Sequence, residues 1–274
     1  MTLGKVIAIA NQKGGVGKTT TAVNLAAGLS QRNRKVLLID FDPQGDSGKA
    51  LGLKPSESKQ SIANLMLEMI VSDACNYDSK IQKTKEGFDL IPTNEKLSSI
   101  EVTLGSLEDK ETVLRDVLEP LKTRYDFLLI DCKPSLGMLT VNALTAADSV
   151  IIPSQPEYLS ANGTYELLKR IQKVKGDSNP GLYVEGILIT MTDDRTVLSN
   201  TVQKQIQEQY GKQYHVFPYS VPRRIAIAES SALGQSILSY KPRSDGAEVY
   251  QQLGREVDRN AQRETGKHRD TLSR

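Results

Sequence analysis

One glycine-rich segment has residue types and spacing that suit phosphate binding. Glycines let consecutive backbone N–H groups fold around phosphate oxygens, a lysine can reach the β- and γ-phosphates, and a hydroxyl can ligate Mg²⁺. Lys18 and Thr19 stand at the positions for the last two roles. The segment departs from the strict pattern G-x-x-x-x-G-K-[ST] at Gln12, which replaces the first glycine. The predicted phosphate-binding residues are Lys13, Gly14, Gly15, Val16, Gly17, Lys18, Thr19 and Thr20.

Two aspartates that follow apolar runs are the candidate catalytic carboxylates. Asp131 ends the run 127–130, and this pattern predicts a ligand of Mg²⁺, through water or through the Thr19 hydroxyl. Asp42 comes shortly after the run 36–39, where a carboxylate can hold an attacking water or reach the Mg²⁺ shell. Asp40 is expected to be buried and hydrogen-bonded. The alternative for Asp40 and Asp42 is a loop or capping role.

The elements that must position these residues are predicted from hydrophobic patterning. Continuous apolar runs indicate strands buried on both faces, and they alternate with helical patterns, so we predict an α/β fold with a doubly wound, mostly parallel sheet flanked by helices. The expected strands are 6–10, 36–39, 127–130, 150–152 and 186–190, with weaker ones at 88–92 and 214–217. The expected helices are 18–31, 61–71, 112–121, 161–174, 199–210 and 247–259.

The organisation predicted along the chain is a single domain, residues 1–260, followed by a disordered polar tail, residues 261–274. The weakly patterned segment from about residue 54 to 87 is expected to be a helical insertion. No linker rich in Pro, Gly or Ser divides the chain.

Composition excludes several classes of protein. With 35 Lys+Arg against 33 Asp+Glu, the formal net charge of +2 does not fit a histone-like or acidic-tail protein. Two cysteines cannot staple 274 residues, and two histidines and two cysteines offer few ligands for zinc or iron–sulfur. No run approaches the roughly 18 apolar residues of a membrane span, and no signal peptide is recognisable. A cytoplasmic location is therefore expected.

The phosphate-binding segment, with its additional Lys13, resembles the deviant Walker A motif of the ParA/MinD family of ATPases. Other segments are similar to this family, over about residues 4–258. They are DFDPQG at 40–45, LIDCKPS at 129–135, NALTAAD at 142–148, VPRR at 221–224 and GAEVY at 246–250. One departure is Lys133, where the family usually has proline. This cation either tunes the loop after Asp131 or points to solvent.

The resemblance implies a P-loop ATPase that uses ATP and Mg²⁺ and hydrolyses ATP to ADP and phosphate, slowly unless a partner stimulates it. It implies that Asp42 activates the water and that Lys13 reaches the phosphates of a second subunit, so that a homodimer forms only with ATP. Met191 and Pro222 correspond to residues that sandwich adenine in the family, although Arg224 stands where an asparagine is usual. Ordinary packing is the alternative for both.

The resemblance also implies DNA partitioning, in which the ATP-bound dimer binds nonspecific DNA of the nucleoid and a ParB-like centromere-binding adaptor stimulates its release. The first strand begins by about Lys5, which leaves no room for a preceding helix-turn-helix and favours a separate adaptor. Ala226 stands where a second arginine is common. The candidate DNA-binding residues are Arg195, Arg223, Arg224, Lys241 and Arg243, with solvated surface charge as the alternative for each.

Two other readings within the family remain. A MinD-like ATPase, or another that positions cargo without DNA, is the main alternative, but membrane cycling needs an amphipathic C-terminal helix, and Leu272 is the one bulky apolar residue after Arg259. An iron-protein reductase needs two thiolates per subunit near the dimer axis, and the positions of Cys75 and Cys132 do not favour this. We therefore expect no membrane partner.

Overall fold

The computed structural model describes residues 3–53, 60–156, 160–193 and 197–272. The strands are β1 (Lys5–Ile9), β2 (Val36–Phe41), β3 (Gln82–Lys83), β4 (Asp89–Ile91), β5 (Phe127–Cys132), β6 (Ser149–Ser154), β7 (Tyr183–Thr192) and β8 (Val216–Pro222). The helices are α1 (Lys18–Ser30), α2 (Asp46–Ala50), α3 (Ile62–Ser72), α4 (Lys96–Leu104), α5 (Val113–Leu118), α6 (Met138–Ala146), α7 (Ser160–Asp177), α8 (Val197–Tyr210), α9 (Ile225–Ala232), α10 (Ile237–Tyr240) and α11 (Asp245–Leu272). A 3₁₀ helix, Glu119–Thr123, follows α5.

The strands form one sheet in the order β3-β4-β2-β5-β1-β6-β7-β8. Every pairing is parallel except that of β3 with β4. Parallel strands end at one edge, so the segments that follow β1, β2 and β5 lie side by side. The register places Asp131 opposite both Asp40 and Ile9. The predicted α/β fold is thus confirmed, and it brings the phosphate-binding segment and the two acidic segments together.

Side chains alternate between the two faces of the sheet and build a core on each. On β1, Val6 and Ala8 face one core, which is completed by α3 to α8, whereas Ile7 and Ile9 face the other, which is completed by α1, α10 and α11. All four are fully buried. This double burial explains why the strands read as continuous apolar runs in the sequence.

Helices α1 and α11 approach each other closely at two glycines. A Cβ built on Gly28 would lie 3.1 Å from the carbonyl oxygen of Tyr250, and one built on Gly254 would lie 3.2 Å from the carbonyl carbon of Gly28. The backbones of the two helices are therefore in direct contact. Tyr250 is buried beside this contact, with its hydroxyl 3.5 Å from that of Thr21.

The C-terminal segment differs from the prediction. α11 runs to Leu272, so disorder from residue 261 is wrong for residues 261–272, whereas 273 and 274 lie outside the described residues. The reason is a tertiary contact that composition does not reveal. Glu264 pairs with the Lys5 ammonium at 3.1 Å and accepts a hydrogen bond from the Tyr183 hydroxyl, which attaches the helix to the starts of β1 and β7. Lys5 is itself buried and pairs with Glu185 at 2.7 Å.

No helix among the described residues is both long enough and apolar enough to cross a membrane. The segment predicted as a helical insertion contains α3 and the short strand β3, with residues 54–59 outside the described part.

Substituting Gly186 is expected to destabilise the sheet. A Cβ at this position on β7 would lie 2.5 Å from Cε2 of the buried Phe217 ring, so Gly186→Ala forces the ring or the strand to move. Overpacking of this kind costs about 1–3 kcal/mol in the free energy of unfolding. Urea denaturation measures the loss.

The matched control is Gly176→Ala, on the exposed side of α7, where a Cβ meets nothing within 4 Å. We expect this variant to be at least as stable as the wild type, because alanine favours the helix over glycine by up to about 1 kcal/mol. Equal stabilities of the two variants would contradict the packing argument.

Candidate functional site

In the loop between β1 and α1, two positions have a backbone conformation that only glycine adopts readily. Gly15 and Gly17 have φ values of 73° and 84°, in the left-handed region. Gly17 directly precedes Lys18, the first residue of α1, so the loop leads into a helix N-terminus. Unpaired N–H groups and the helix dipole at this end favour an anion. The predicted phosphate-binding segment therefore has the backbone form that its proposed role requires.

Lys18 is the buried cation of this loop. Its side chain lies back along the loop, and Nζ donates a hydrogen bond to the carbonyl oxygen of Lys13 at 3.0 Å. Burial lowers the pKa of Lys18, and the nearby Asp131 and Asp42 carboxylates oppose this shift. The ammonium is thus poorly solvated and lies near negative charge.

Asp131 is fully buried at the end of β5 and has one oxygen without a partner. Oδ2 accepts a hydrogen bond from the Ser47 hydroxyl at 2.8 Å, whereas Oδ1 has no hydrogen-bond partner among the described residues. Burial raises the pKa of Asp131 to about 6, against the opposing influence of the Ser47 and Thr19 hydroxyls and the Lys18 ammonium. An unsatisfied buried acceptor is costly, and a bound cation would satisfy it.

The oxygens of Asp131, Thr19 and Ser47 fit a Mg²⁺ ion that is held partly by a nucleotide. Within the described part of the chain, no three His, Cys, Asp or Glu side chains form a group that could hold a metal alone. Mg²⁺ in phosphate-transfer sites takes one or two protein oxygens and completes its shell with phosphate and water. Asp131 with the neighbouring hydroxyls of Thr19 and Ser47 matches this requirement.

The two aspartates after β2 have different environments. Asp40 is fully buried, and its carboxylate accepts hydrogen bonds from the backbone N–H groups of Gly48 at 3.2 Å and Asp42 at 3.5 Å. Burial, with repulsion from Asp131, raises the pKa of Asp40 well above its usual range. Asp42 is half-buried and accepts a hydrogen bond from the N–H of Gln44 at 3.0 Å. Of the two, Asp42 is the one that solvent reaches.

Lys13 contacts a residue that sequence reasoning missed. Its Nζ donates to Oε1 of Gln155 at 3.2 Å, and Nε2 of Gln155 donates to the carbonyl oxygen of Gly15 at 2.9 Å and lies 2.8 Å from Sδ of Met191. Thr190 was also missed, and its hydroxyl donates to the carbonyl of Val16 at 2.8 Å. Gln155 directly follows β6, and Thr190 lies near the end of β7. The phosphate-binding loop is therefore supported from two neighbouring strands.

The two residues predicted to contact adenine lie at one edge of the sheet. Met191 is near the end of β7 and Pro222 ends β8, where it is paired with Thr192. Met191 has a φ of 56°, which is strained for a side chain of this size. The structure brings both residues to the side of the sheet that carries the phosphate-binding loop.

Comparison with known proteins gives the family. Residues 4–184 match the model of an AAA domain family. The sporulation initiation inhibitor protein Soj of Bacillus subtilis is 42% identical over 94% of this chain and all of its own length, and the chromosome partitioning protein ParA of Myxococcus xanthus is 42% identical over 93% and 88%. The chain belongs to the ParA/MinD family of P-loop ATPases.

Solved structures agree with the fold of this ParA/MinD-family chain. A putative plasmid partition protein of Borrelia burgdorferi bound to AMPPNP superposes with a TM-score of 0.77 and 27% identity, over 94% of this chain and 99% of that one. Cobyrinic acid a,c-diamide synthase of Mycobacterium smegmatis, with bound ADP and magnesium, superposes with a TM-score of 0.80 and 34% identity, over 94% of this chain and 95% of that one.

The basic residues predicted to bind DNA in this ParA/MinD-family chain occupy the segments that join β8 to α9 and α10 to α11. Arg223, Arg224, Lys241 and Arg243 are all exposed, whereas Arg195 lies outside the described residues. Arg224 is already paired, through Nε and Nη2, with Asp245 at 2.8 and 2.7 Å. Arg223 and Arg243 make no ion pair with the described residues, so their charge is available.

Without ligands, stability is expected to fall as pH rises through the range in which Asp131 ionises. Its folded-state pKa of about 6 exceeds the ordinary value of 3.8, so the folded chain binds more protons than the unfolded chain between these values. The free energy lost by about pH 7 is about 3 kcal/mol. Asp131→Asn removes this term, and its unfolding free energy should depend less on pH. Urea denaturation across pH, without nucleotide and Mg²⁺, measures the difference.

Ser47→Ala serves as the companion variant. It removes a hydroxyl that stabilises the Asp131 carboxylate, so the fall in stability should extend to higher pH than in the wild type. Identical pH profiles for the wild type and Asp131→Asn would show that Asp131 is not the titrating group.

Proposed function

We propose that this protein is an ATPase switch for DNA partitioning, in which ATP joins two subunits, the dimer binds nonspecific DNA, and hydrolysis releases it. The observation that carries the proposal is the convergence of Lys13, Lys18, Asp42 and Asp131 at one edge of the sheet, with one buried oxygen of Asp131 unsatisfied. These groups bring cations for phosphate, a ligand for a metal and a carboxylate near solvent into one site.

In the proposed mechanism, the chain binds the phosphates through the loop backbone and Lys18. The N–H groups of the loop and of the first turn of α1 point to the phosphate oxygens, and Nζ of Lys18 exchanges the Lys13 carbonyl for the β- and γ-phosphates. Thr19 and Asp131 would hold Mg²⁺. When bound, this ion neutralises charge on the β- and γ-oxygens.

Asp42 is proposed to orient the water that attacks the γ-phosphate. The carboxylate is half-buried, and the Gln44 N–H fixes one of its oxygens. Its role is to accept a hydrogen bond from the water, and the products are ADP and phosphate. Asp40 is not suited to this role, because burial favours its protonated form.

Lys13 is proposed to act across the dimer interface. Its side chain is half-buried at the loop entrance and contacts Gln155 of its own chain. In the ATP-bound dimer it would contact the phosphates of the second subunit, where a cation stabilises the charge that develops during hydrolysis. Nucleotide therefore controls association.

Partitioning is proposed because relatives with this name cover nearly the whole chain. ParA of Myxococcus xanthus and of Caulobacter vibrioides are chromosome partitioning proteins at 42% and 38% identity. With a formal net charge of +2, the chain has no general attraction to DNA, so binding must depend on local cations such as Arg223 and Arg243. A ParB-like adaptor would stimulate hydrolysis, and the protein would associate with the nucleoid.

ATP is expected to be required for dimerisation. The wild type should double its mass by light scattering with a slowly hydrolysed ATP analogue and Mg²⁺, but not with ADP. Lys18→Ala should remain monomeric, because it loses the phosphate contact. Asp42→Ala should dimerise with ATP itself yet hydrolyse it at least about 100-fold more slowly, as loss of a positioned catalytic group implies. The same mass in all nucleotide states would overturn the switch.

DNA binding should depend on salt and on the two available arginines. Each phosphate contact contributes about one unit to the slope of log affinity against log salt. We expect Arg223→Ala and Arg243→Ala each to lower this slope by about one, for any DNA sequence, in fluorescence anisotropy titrations with ATP. Lys83→Ala is the control, because Lys83 is exposed on β3, at the opposite edge of the sheet from β8. Binding that is unchanged without nucleotide would contradict the proposal.

A further inference from the structure

The loop that follows Asp131 is attached to helix α4 by an ion pair. Lys133 lies two residues beyond Asp131, and its Nζ is 2.7 Å from Oε2 of Glu101. Each side chain is 23% exposed, so the pair is shielded from water on most sides. The sequence left two alternatives for Lys133, and the structure shows it paired with Glu101 and mostly buried rather than pointing to solvent.

Glu101 also holds the far end of this loop. Its other oxygen, Oε1, accepts a hydrogen bond from the N–H of Leu139 at 3.3 Å, in the first turn of α6. A carboxylate there satisfies a free helix donor and lies at the positive end of the helix dipole. A Cβ on Gly137 would lie 2.4 Å from the same oxygen, which shows how closely the loop approaches Glu101.

The remaining hydrogen bonds of the loop are local. The N–H of Ser135 donates to the Lys133 carbonyl at 2.9 Å, and the Thr140 hydroxyl donates to the Ser135 carbonyl at 2.7 Å. These bonds shape the loop, but they do not fix its place relative to the neighbouring layer of helices. The partly buried Leu136 and Met138 pack against the core. Glu101 adds a polar attachment at both ends of the loop, through Lys133 and through Leu139.

We propose that Lys133 and Glu101 are positioning residues that hold the loop after Asp131 in the arrangement needed for ATP hydrolysis. The inference rests on the proposed function, because it concerns the rate of the same reaction. The pair contacts neither phosphate nor metal in this proposal. It restricts the segment that leads from Asp131 into α6, so its loss should slow the chemical step and leave nucleotide affinity unchanged.

The ionic nature of the attachment predicts how it responds to salt. Ion pairs that keep some contact with water contribute modest free energy, and dissolved salt weakens partly buried pairs less than exposed ones. The wild-type advantage should therefore be about two- to five-fold in rate at low salt and should decrease, but not vanish, at about 1 M salt. An apolar contact at the same place would not weaken in this way.

The experiment measures kcat and KM for ATP in the full chain, without DNA or partner, at low and high KCl. Lys133→Met removes the charge but keeps the length of the side chain, Glu101→Gln keeps an acceptor for Leu139, and Lys133→Arg keeps the cation. We expect kcat about two- to five-fold lower in the first two variants at low salt, KM within about two-fold of wild type, and near wild-type kcat in Lys133→Arg. The double variant should be no slower than Lys133→Met.

The matched control is Lys83→Met, which makes the same change in a 2.8 Å ion pair with Asp89, away from the loop. It should leave kcat unchanged at both salt concentrations. If circular dichroism shows that Lys133→Met does not fold, Glu101→Gln and Lys133→Arg decide the matter.

Equal kcat values for wild type, Lys133→Met and Glu101→Gln at low salt would overturn the inference while leaving the proposed ATPase intact. So would a loss that Lys133→Arg does not restore, or one that does not decrease at all at high salt. A wild type that does not hydrolyse ATP would overturn the proposed function and this inference together.

Discussion

The buried ammonium of Lys18 lies within the electrostatic reach of Asp131 and Asp42, and the rest of the site is arranged around this concentration of charge. Burial disfavours the charged forms of Lys18 and Asp131. In the ligand-free chain, each charge would therefore be more stable in water than in the site. Only a rigid framework can hold them there. Parallel strands with fully buried side chains provide it, since β1, β2 and β5 are adjacent and end at the same edge. Binding of phosphate beside Lys18 and of a cation beside Asp131 would offset the cost of burying these two charges.

The sequence predicts the parts of this site that depend on local spacing. The segment from Lys13 to Thr20 and the acids at Asp42 and Asp131 each follow an apolar run, and the parallel order of those runs follows from their continuous burial. Ser47, Gln155 and Thr190 could not be predicted in the same way. Each contacts the site through a pairing distant in sequence, and a lone serine, glutamine or threonine carries no pattern that distinguishes it from a surface residue.

Three features that the sequence left open or misjudged have the same origin. The end of the chain is polar and reads as disordered, but Glu264 meets Lys5, 259 residues away, and the helix continues. Lys133 departs from the family pattern, and only the fold shows that α4 places Glu101 beside it. Arg224 is a candidate DNA-binding residue or a solvated surface charge by sequence, and the structure pairs it with Asp245 at the start of α11. In all three cases the partner of a charged side chain decides its role, and tertiary structure alone supplies the partner.

The contact between α1 and α11 at Gly28 and Gly254 has a mechanical consequence. Most helices meet through side chains, which can change rotamer and so absorb a small displacement. At Gly28 and Gly254 backbone meets backbone, so this part of the interface contains no side chain that could change rotamer. At this point α1 cannot move closer to α11 unless the backbone of α11 also moves. That helix spans the molecule from Asp245, beside Arg224, to Glu264 at the far end of the sheet. One helix thus connects the edge of the sheet that carries the phosphate-binding loop with the edge where β1 begins.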